Sequence, residues 1–175
     1  MTHVIGLDLS LTSTGVASNL GWTDRIRPGD LRGLERLRYI TRTIGDYART
    51  GRYRLAVLEG PSYGSRYGSP HERGGLWWMV YDLLDRREIP VAVAPPASLK
   101  LWATGSGAAS KTAVLDAMRL RYPHAEITTS DEADALALAE MGAAWTQQAE
   151  VTGHQRRALN GVNWPALLST EEAAA

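Results

Sequence analysis

The chain contains no cysteine, which excludes both a disulfide framework and a thiolate metal site. No apolar stretch approaches the roughly 18 residues that a membrane span needs. The only early apolar run is interrupted by Asp8, so nothing there reads as a secretory signal. A cytoplasmic protein without a membrane partner is therefore expected. The chain also lacks net charge, with 19 basic side chains against 19 acidic ones, which argues against nucleic-acid binding through bulk charge alone. Lysine is scarce: Lys100 and Lys111 stand beside seventeen arginines. No internal repeat and no second-domain boundary is visible, and 175 residues suit one domain with a sizeable core.

What is present begins with Val4-Ile5-Gly6-Leu7-Asp8-Leu9-Ser10. The composition reads as a buried strand near the middle of a sheet. A carboxylate there is costly to bury unless it is protonated, paired or bound to a cation. No lysine or arginine lies near Asp8 in sequence; the first is Arg25. Two readings stand side by side: Asp8 answers to a metal ion, or backbone donors of the Ser10–Gly15 turn satisfy it.

After that turn, Val16–Leu20 and Gly21–Ile26 extend the first strand into an antiparallel meander. A helix from Asp30 or Pro28-Gly29 to about Thr50 is expected to bury Leu31, Leu34, Leu37, Ile40 and Ile44 (or Tyr47) on one face. Nine arginines between Arg25 and Arg54 face three acids, a basic stripe that suits a polyanion or a solvated helix surface. Arg54–Glu59 is a short strand ending in a carboxylate. Residues 60–75 read as a Gly/Ser/Pro-rich loop in which Tyr63, Arg66, Tyr67, His71 and Arg73 combine rings and cations, as a grip on distorted nucleic acid would.

A helix over Gly75–Arg87 carries Leu76-Trp77-Trp78-Met79-Val80-Tyr81. At roughly 100° per residue these cover every side of it. A second buried face is implied: a homodimer contact, or complete enclosure of the helix within the domain. Ile89–Ala94 is the fifth strand, followed by a short helix with Lys100, the connection Thr104–Gly107, and a helix starting near Ser110 with Lys111 in its first turn, a natural phosphate site. Thr129 or Ser130 caps a last helix from Asp131 to about Trp145. The domain is set at residues 1–148. Residues 149–175 form a tail expected to be loosely ordered, with Trp164 as a possible anchor.

The order of elements gives an α/β fold: a five-stranded mixed sheet covered by helices. Asp8, Glu59, Asp131 and Asp134 are the acids such a fold could gather. Asp131 and Asp134 share one helix face through their i,i+3 spacing. An oxygen-only set suits Mg²⁺ or Mn²⁺ rather than zinc. Taken singly, the helix acids are ordinary N-terminal residues, and Glu59 could simply face water.

Ile5-Gly6-Leu7-Asp8 with Thr14-Gly15-Val16-Ala17 resembles the opening of the RuvC family of Holliday-junction resolvases, within the ribonuclease H-like superfamily. Ala56-Val57-Leu58-Glu59 resembles its second acidic strand. Ser98-Leu99-Lys100 through Lys111 and Asp131–Ala139 resemble its third segment, so the likeness spans about residues 3–145. The resemblance implies that Asp8, Glu59, Asp131 and Asp134 bind two Mg²⁺ or Mn²⁺ ions. Lys100 and Lys111 match the active-site lysines, and the family's chemistry is two-metal phosphodiester hydrolysis. It further implies branched DNA, a four-way junction above all, as substrate. The setting would be a bacterial cell or a phage-infected host. Tyr63, Arg66, Tyr67, Arg73, Ser106 and Lys111 are the expected DNA contacts.

The chain departs from the family in its neutrality and in having no phenylalanine at all, where the family sets one against a junction base. Tyr63 or Tyr67 could take that place, with a wider range of branched substrates. Three rivals remain: a sugar-kinase/actin-type phosphotransferase, which needs about twice this length; a ribonuclease H-like nuclease acting on RNA or RNA–DNA hybrid; and a catalytically silent DNA-binding module.

Overall fold

Val4–Asp8 forms β1, buried along its whole length, as its apolar run predicts. The computed structural model describes residues 2–60 and 69–166. β2 (Thr14–Ser18) and β3 (Trp22–Ile26) complete the antiparallel meander, with β2 set slightly earlier than the expected Val16–Leu20. α1 (Gly33–Gly51) leads to β4 (Leu55–Glu59), parallel to β1. α2 (Pro70–Asp85) leads to β5 (Val91–Ala94), parallel to β4. The five strands lie in the order β3-β2-β1-β4-β5, so β1 is central. α3 (Pro96–Thr104), α4 (Lys111–Arg121), α5 (Ser130–Thr146) and α6 (Gly153–Asn160) follow.

Alternation along the strands sorts the sheet into two faces. Ile5, Leu7, Val16, Ala56 and Leu58 join Ile40 and Ile44 of α1 and Leu76, Val80 and Leu84 of α2 in one core. Val4, Ala17, Leu55 and Val57 join α3, α4 and α5 in the other. Asp8 and Glu59 follow the second alternation and so face α5. α5 meets the sheet through Ala135, Ala139 and Gly142, one helical stripe small enough for its backbone to rest on the strands directly. A Cβ on Gly6 would stand 2.0 Å from the Ala135 carbonyl oxygen, and one on Gly15 would stand 2.0 Å from the Asp131 carbonyl oxygen. Only a residue without a side chain allows that approach.

Three expectations are corrected. The helix anticipated from Gly75 begins at Pro70, which places His71 and Arg73 on α2 rather than in a loop. Proline presets the first helical φ, and Glu72 ion-pairs with buried Arg36 of α1, so the early turn is held despite Gly74 and Gly75. On α1, Leu37, Ile40 and Ile44 are buried, but Leu34 is 53% exposed. Arg36, Gly45 and Ala48 complete the buried stripe instead. The connection after α5, expected without regular structure, carries α6, which packs on α3. Beyond α6, Asn163 bridges to Val93 at the β5 edge, and the Trp164 ring stacks on Trp145 at 4.5 Å.

α2 buries only Leu76, Val80 and Leu84. Trp78 is 65% exposed, and its ring lies 4.9 Å from that of Trp77 and 5.7 Å from that of Tyr81. Among the described residues, no helix is long and apolar enough to cross a membrane.

Candidate active site

β1 and β4 run parallel in the register Leu7↔Leu58, so their terminal residues Asp8 and Glu59 come side by side. The indole of Trp77 donates to the Glu59 carbonyl oxygen at 3.1 Å, tying that strand end to α2. The bare contacts at Gly6 and Gly15 bring the first turns of α5, and with them Asp131 and Asp134, over the same strand ends. Lys100 on α3 and Lys111 at the start of α4 bear on the same acids.

The electrostatics show how closely these groups interact. Burial raises the Asp8 pKa well above the usual carboxylate range, Glu59, Asp134 and Asp131 push it further, and Lys111 opposes them. Burial also raises Glu59, against the hydrogen bond from Asp8 and the charges of Lys111 and Lys100. Asp134 is pushed up to about 7, first by burial and then by Glu59 and Asp131, with Lys111 and Lys100 pulling back. The acids are thus assembled at the expense of their own charge. The turn from Ser10 to Gly15 spends its hydrogen bonds on itself and on Asp131, leaving the alternative of a turn-satisfied Asp8 without support.

The start of α5 is fixed independently. Thr129 is the N-cap, in a reciprocal capping box with Glu132. Glu132 accepts from Thr128 N and Thr128 Oγ1 at 2.6 Å each, from Thr129 N at 2.7 Å, and from Arg25 Nε of β3 at 3.2 Å. Burial works to raise its pKa, but the hydrogen bonds from Thr128 and Thr129 prevail and the net shift is downward. Across the sheet, Ser13 donates its hydroxyl to Asp131 Oδ2 at 2.6 Å. Neither residue stands out as a site residue in the sequence, where Glu132 is an ordinary helix N-terminal acid and Ser13 part of a turn. Thr129-x-x-Glu132 carried a legible signal as a capping box; Ser13 carried none.

The structure brings Asp8, Glu59, Asp131, Asp134, Lys100 and Lys111 together. Ser106 sits exposed in the turn before α4, where its backbone N–H and carbonyl both engage Thr104. Arg73 lies on α2, half-buried. Tyr63, Arg66 and Tyr67 fall outside the described residues. Within the Arg25–Arg54 stripe, Arg25 and Arg36 are engaged inside the fold, while Arg27, Arg38, Arg42, Arg52 and Arg54 stay exposed.

The structure of Thermus thermophilus RuvC superposes on this chain with a TM-score of 0.70, over 84% of this chain and 96% of that one, at 19% identity. The fold is RuvC-like. T. thermophilus RuvC in complex with Holliday junction substrate matches equally, with a TM-score of 0.70 at 20% identity over 85% of this chain and 96% of that one. The yeast mitochondrial Holliday junction resolvase is more distant, with a TM-score of 0.55 at 13% identity over 91% and 82% of the two chains. No protein-family model and no curated protein sequence matches the chain. The RuvC-like fold places the acidic cluster at the ends of the central strands β1 and β4, beneath the start of α5.

Proposed function

We propose that this chain is a metal-dependent, structure-selective endonuclease that cuts Holliday junctions and other branched DNA. The observation that carries the reading is the convergence of Asp8, Glu59, Asp131 and Asp134 with the chain's two lysines on a RuvC-like fold. Buried acids that raise one another's pKa make a site that a divalent cation would relieve, and their all-oxygen donor set suits Mg²⁺ or Mn²⁺. As the side chains stand, no three His, Asp or Glu residues among those described are grouped to hold a metal ion. The side chains would therefore have to turn toward a common point on loading.

Asp8, Glu59, Asp131 and Asp134 would hold two ions. When bound, such ions activate a water and neutralise the charge that develops on a departing 3′ oxygen. The chain's own contribution is placement. β1 and β4 fix Asp8 and Glu59, and α5 carries Asp131 and Asp134 down onto them. Lys111, at a helix N-terminus, and Lys100 offer compact cations to the scissile phosphate. A second copy of the chain covers the Trp77, Trp78 and Tyr81 face of α2, whose exposed indole supports a homodimer.

The test is cleavage of a four-way junction, a flap and an RNA–DNA hybrid with Mg²⁺, by the wild type and by Asp8→Asn. The junction and flap should be cut, the hybrid spared, and Asp8→Asn should bind the junction without cutting it. Hybrid cleavage with an intact junction would replace this reading with a ribonuclease H-like one. Lys111→Ala should slow cutting more than it weakens binding, since its charge is needed most in the transition state. Sedimentation should give a dimer that Trp78→Lys breaks; a wild-type monomer at micromolar concentration removes the dimer.

A further inference from the structure

The loop joining β1 to β2 is folded by its own hydroxyls. Ser10 N donates to Thr14 Oγ1 at 3.0 Å, and that hydroxyl donates back to the Ser10 carbonyl at 2.7 Å. Thr12 N and Ser13 N reach Ser10 Oγ at 3.3 and 3.5 Å. The loop is therefore preset before it meets α5, and it delivers the Ser13 hydroxyl to Asp131 Oδ2 at 2.6 Å. The other oxygen, Oδ1, has only a long 3.5 Å contact with Ser130 Oγ. Asp131 is half-buried at the start of a helix, where an acid's easy option is to fold back onto the free N–H groups of the first turn. The Ser13 hydrogen bond holds it across the loop instead, where its charge is felt at Asp8 and Asp134.

We propose that Ser13 is a positioning residue whose hydroxyl sets the orientation of Asp131 and through it the cation affinity of the site. This rests on reading the acidic cluster as a metal site. Partners that orient ligands from behind commonly control affinity by about 10–100-fold. A serine is suited to the task, because it donates to one oxygen and adds no charge of its own.

The experiment is calorimetric titration of the full chain with Mn²⁺ in the absence of DNA, alongside its metal-free melting temperature. Wild type, Ser13→Ala, Ser13→Thr and Asp8→Asn are compared. Ser13→Ala should bind Mn²⁺ about tenfold more weakly while melting as the wild type does, and Ser13→Thr, which keeps the hydroxyl, should restore affinity. In junction cutting, Ser13→Ala should shift the Mn²⁺ midpoint by the same factor and recover most of its rate at saturation. Unchanged or tighter Mn²⁺ binding by Ser13→Ala overturns the proposal. So does a loss that comes with a matching fall in melting temperature and is not restored by threonine, which would make the bond a structural tie only. If the wild type takes up no Mn²⁺, or Asp8→Asn binds it as well as the wild type, the metal-site reading itself falls and this proposal with it.

Discussion

Glu132 and Asp134 sit on the same helix, both more than nine-tenths buried, and their surroundings are opposite. Glu132 accepts from two backbone N–H groups, a threonine hydroxyl and an arginine, and its pKa is lowered. Burial first, and then Glu59 and Asp131, push Asp134 up to about 7, with only Lys111 and Lys100 to offset them. Burial acts to raise both, so burial alone does not decide which carboxylate stays charged. The supply of donors does. One carboxylate is spent on holding the helix start; the others are left to repel one another.

The sharpest way to break the contrast is Asp8→Asn. Junction cutting should drop below detection, yet the metal-free protein should become more stable by on the order of 1 kcal/mol, because a buried, repelled acid is gone. A lower melting temperature in metal-free buffer would mean that the cluster is a structural network after all. Glu132→Ala should do the reverse. It strips the capping box and leaves Arg25 without its partner, at a cost of about 3 kcal/mol in chemical denaturation. A loss under about 0.5 kcal/mol, the size of an ordinary surface change, would show that the hydrogen bonds of Glu132 are decorative.

Glu140, farther along α5, combines burial with partial support from donors, and its effect is confined to stability at higher pH. Burial pushes it up to about 7, while the Tyr122 hydroxyl and Arg121 pull the other way. Its proton is held more tightly in the folded chain than in the unfolded one. Its contribution to stability is therefore fully present below about pH 4.5 and lost as pH rises toward about 7. Glu140→Gln should match the wild type near pH 4.5 and exceed it by about 2 kcal/mol at pH 8. Parallel melting curves at both pH values would remove Glu140 from the series.

Much of this arrangement was readable beforehand because it follows from period and composition. An acid inside the apolar run of β1, another at the end of β4 and an i,i+3 pair after a threonine cap all survive into the structure, as does the five-stranded mixed sheet. What escaped was written across the fold rather than along the chain. The bond from Ser13 to Asp131 joins residues 118 apart, and no local pattern announces it. Gly74 and Gly75 disguised the first turns of α2, which an ion pair to α1 secures. Leu34 fitted the helical stripe by spacing, but the neighbouring elements cover the Arg36–Leu37 side instead.

The bare glycines under α5 have a consequence of their own. Because main chain rests on main chain at Gly6 and Gly15, the gap between acids carried by different elements is fixed by stacking height, and no rotamer can retune it. One methyl group at Gly6 would act as a shim, leaving every carboxylate on its own strand or helix while prising the two halves of the centre apart. A single uncharged carbon, touching no acid side chain, would be enough to disable the proposed active site.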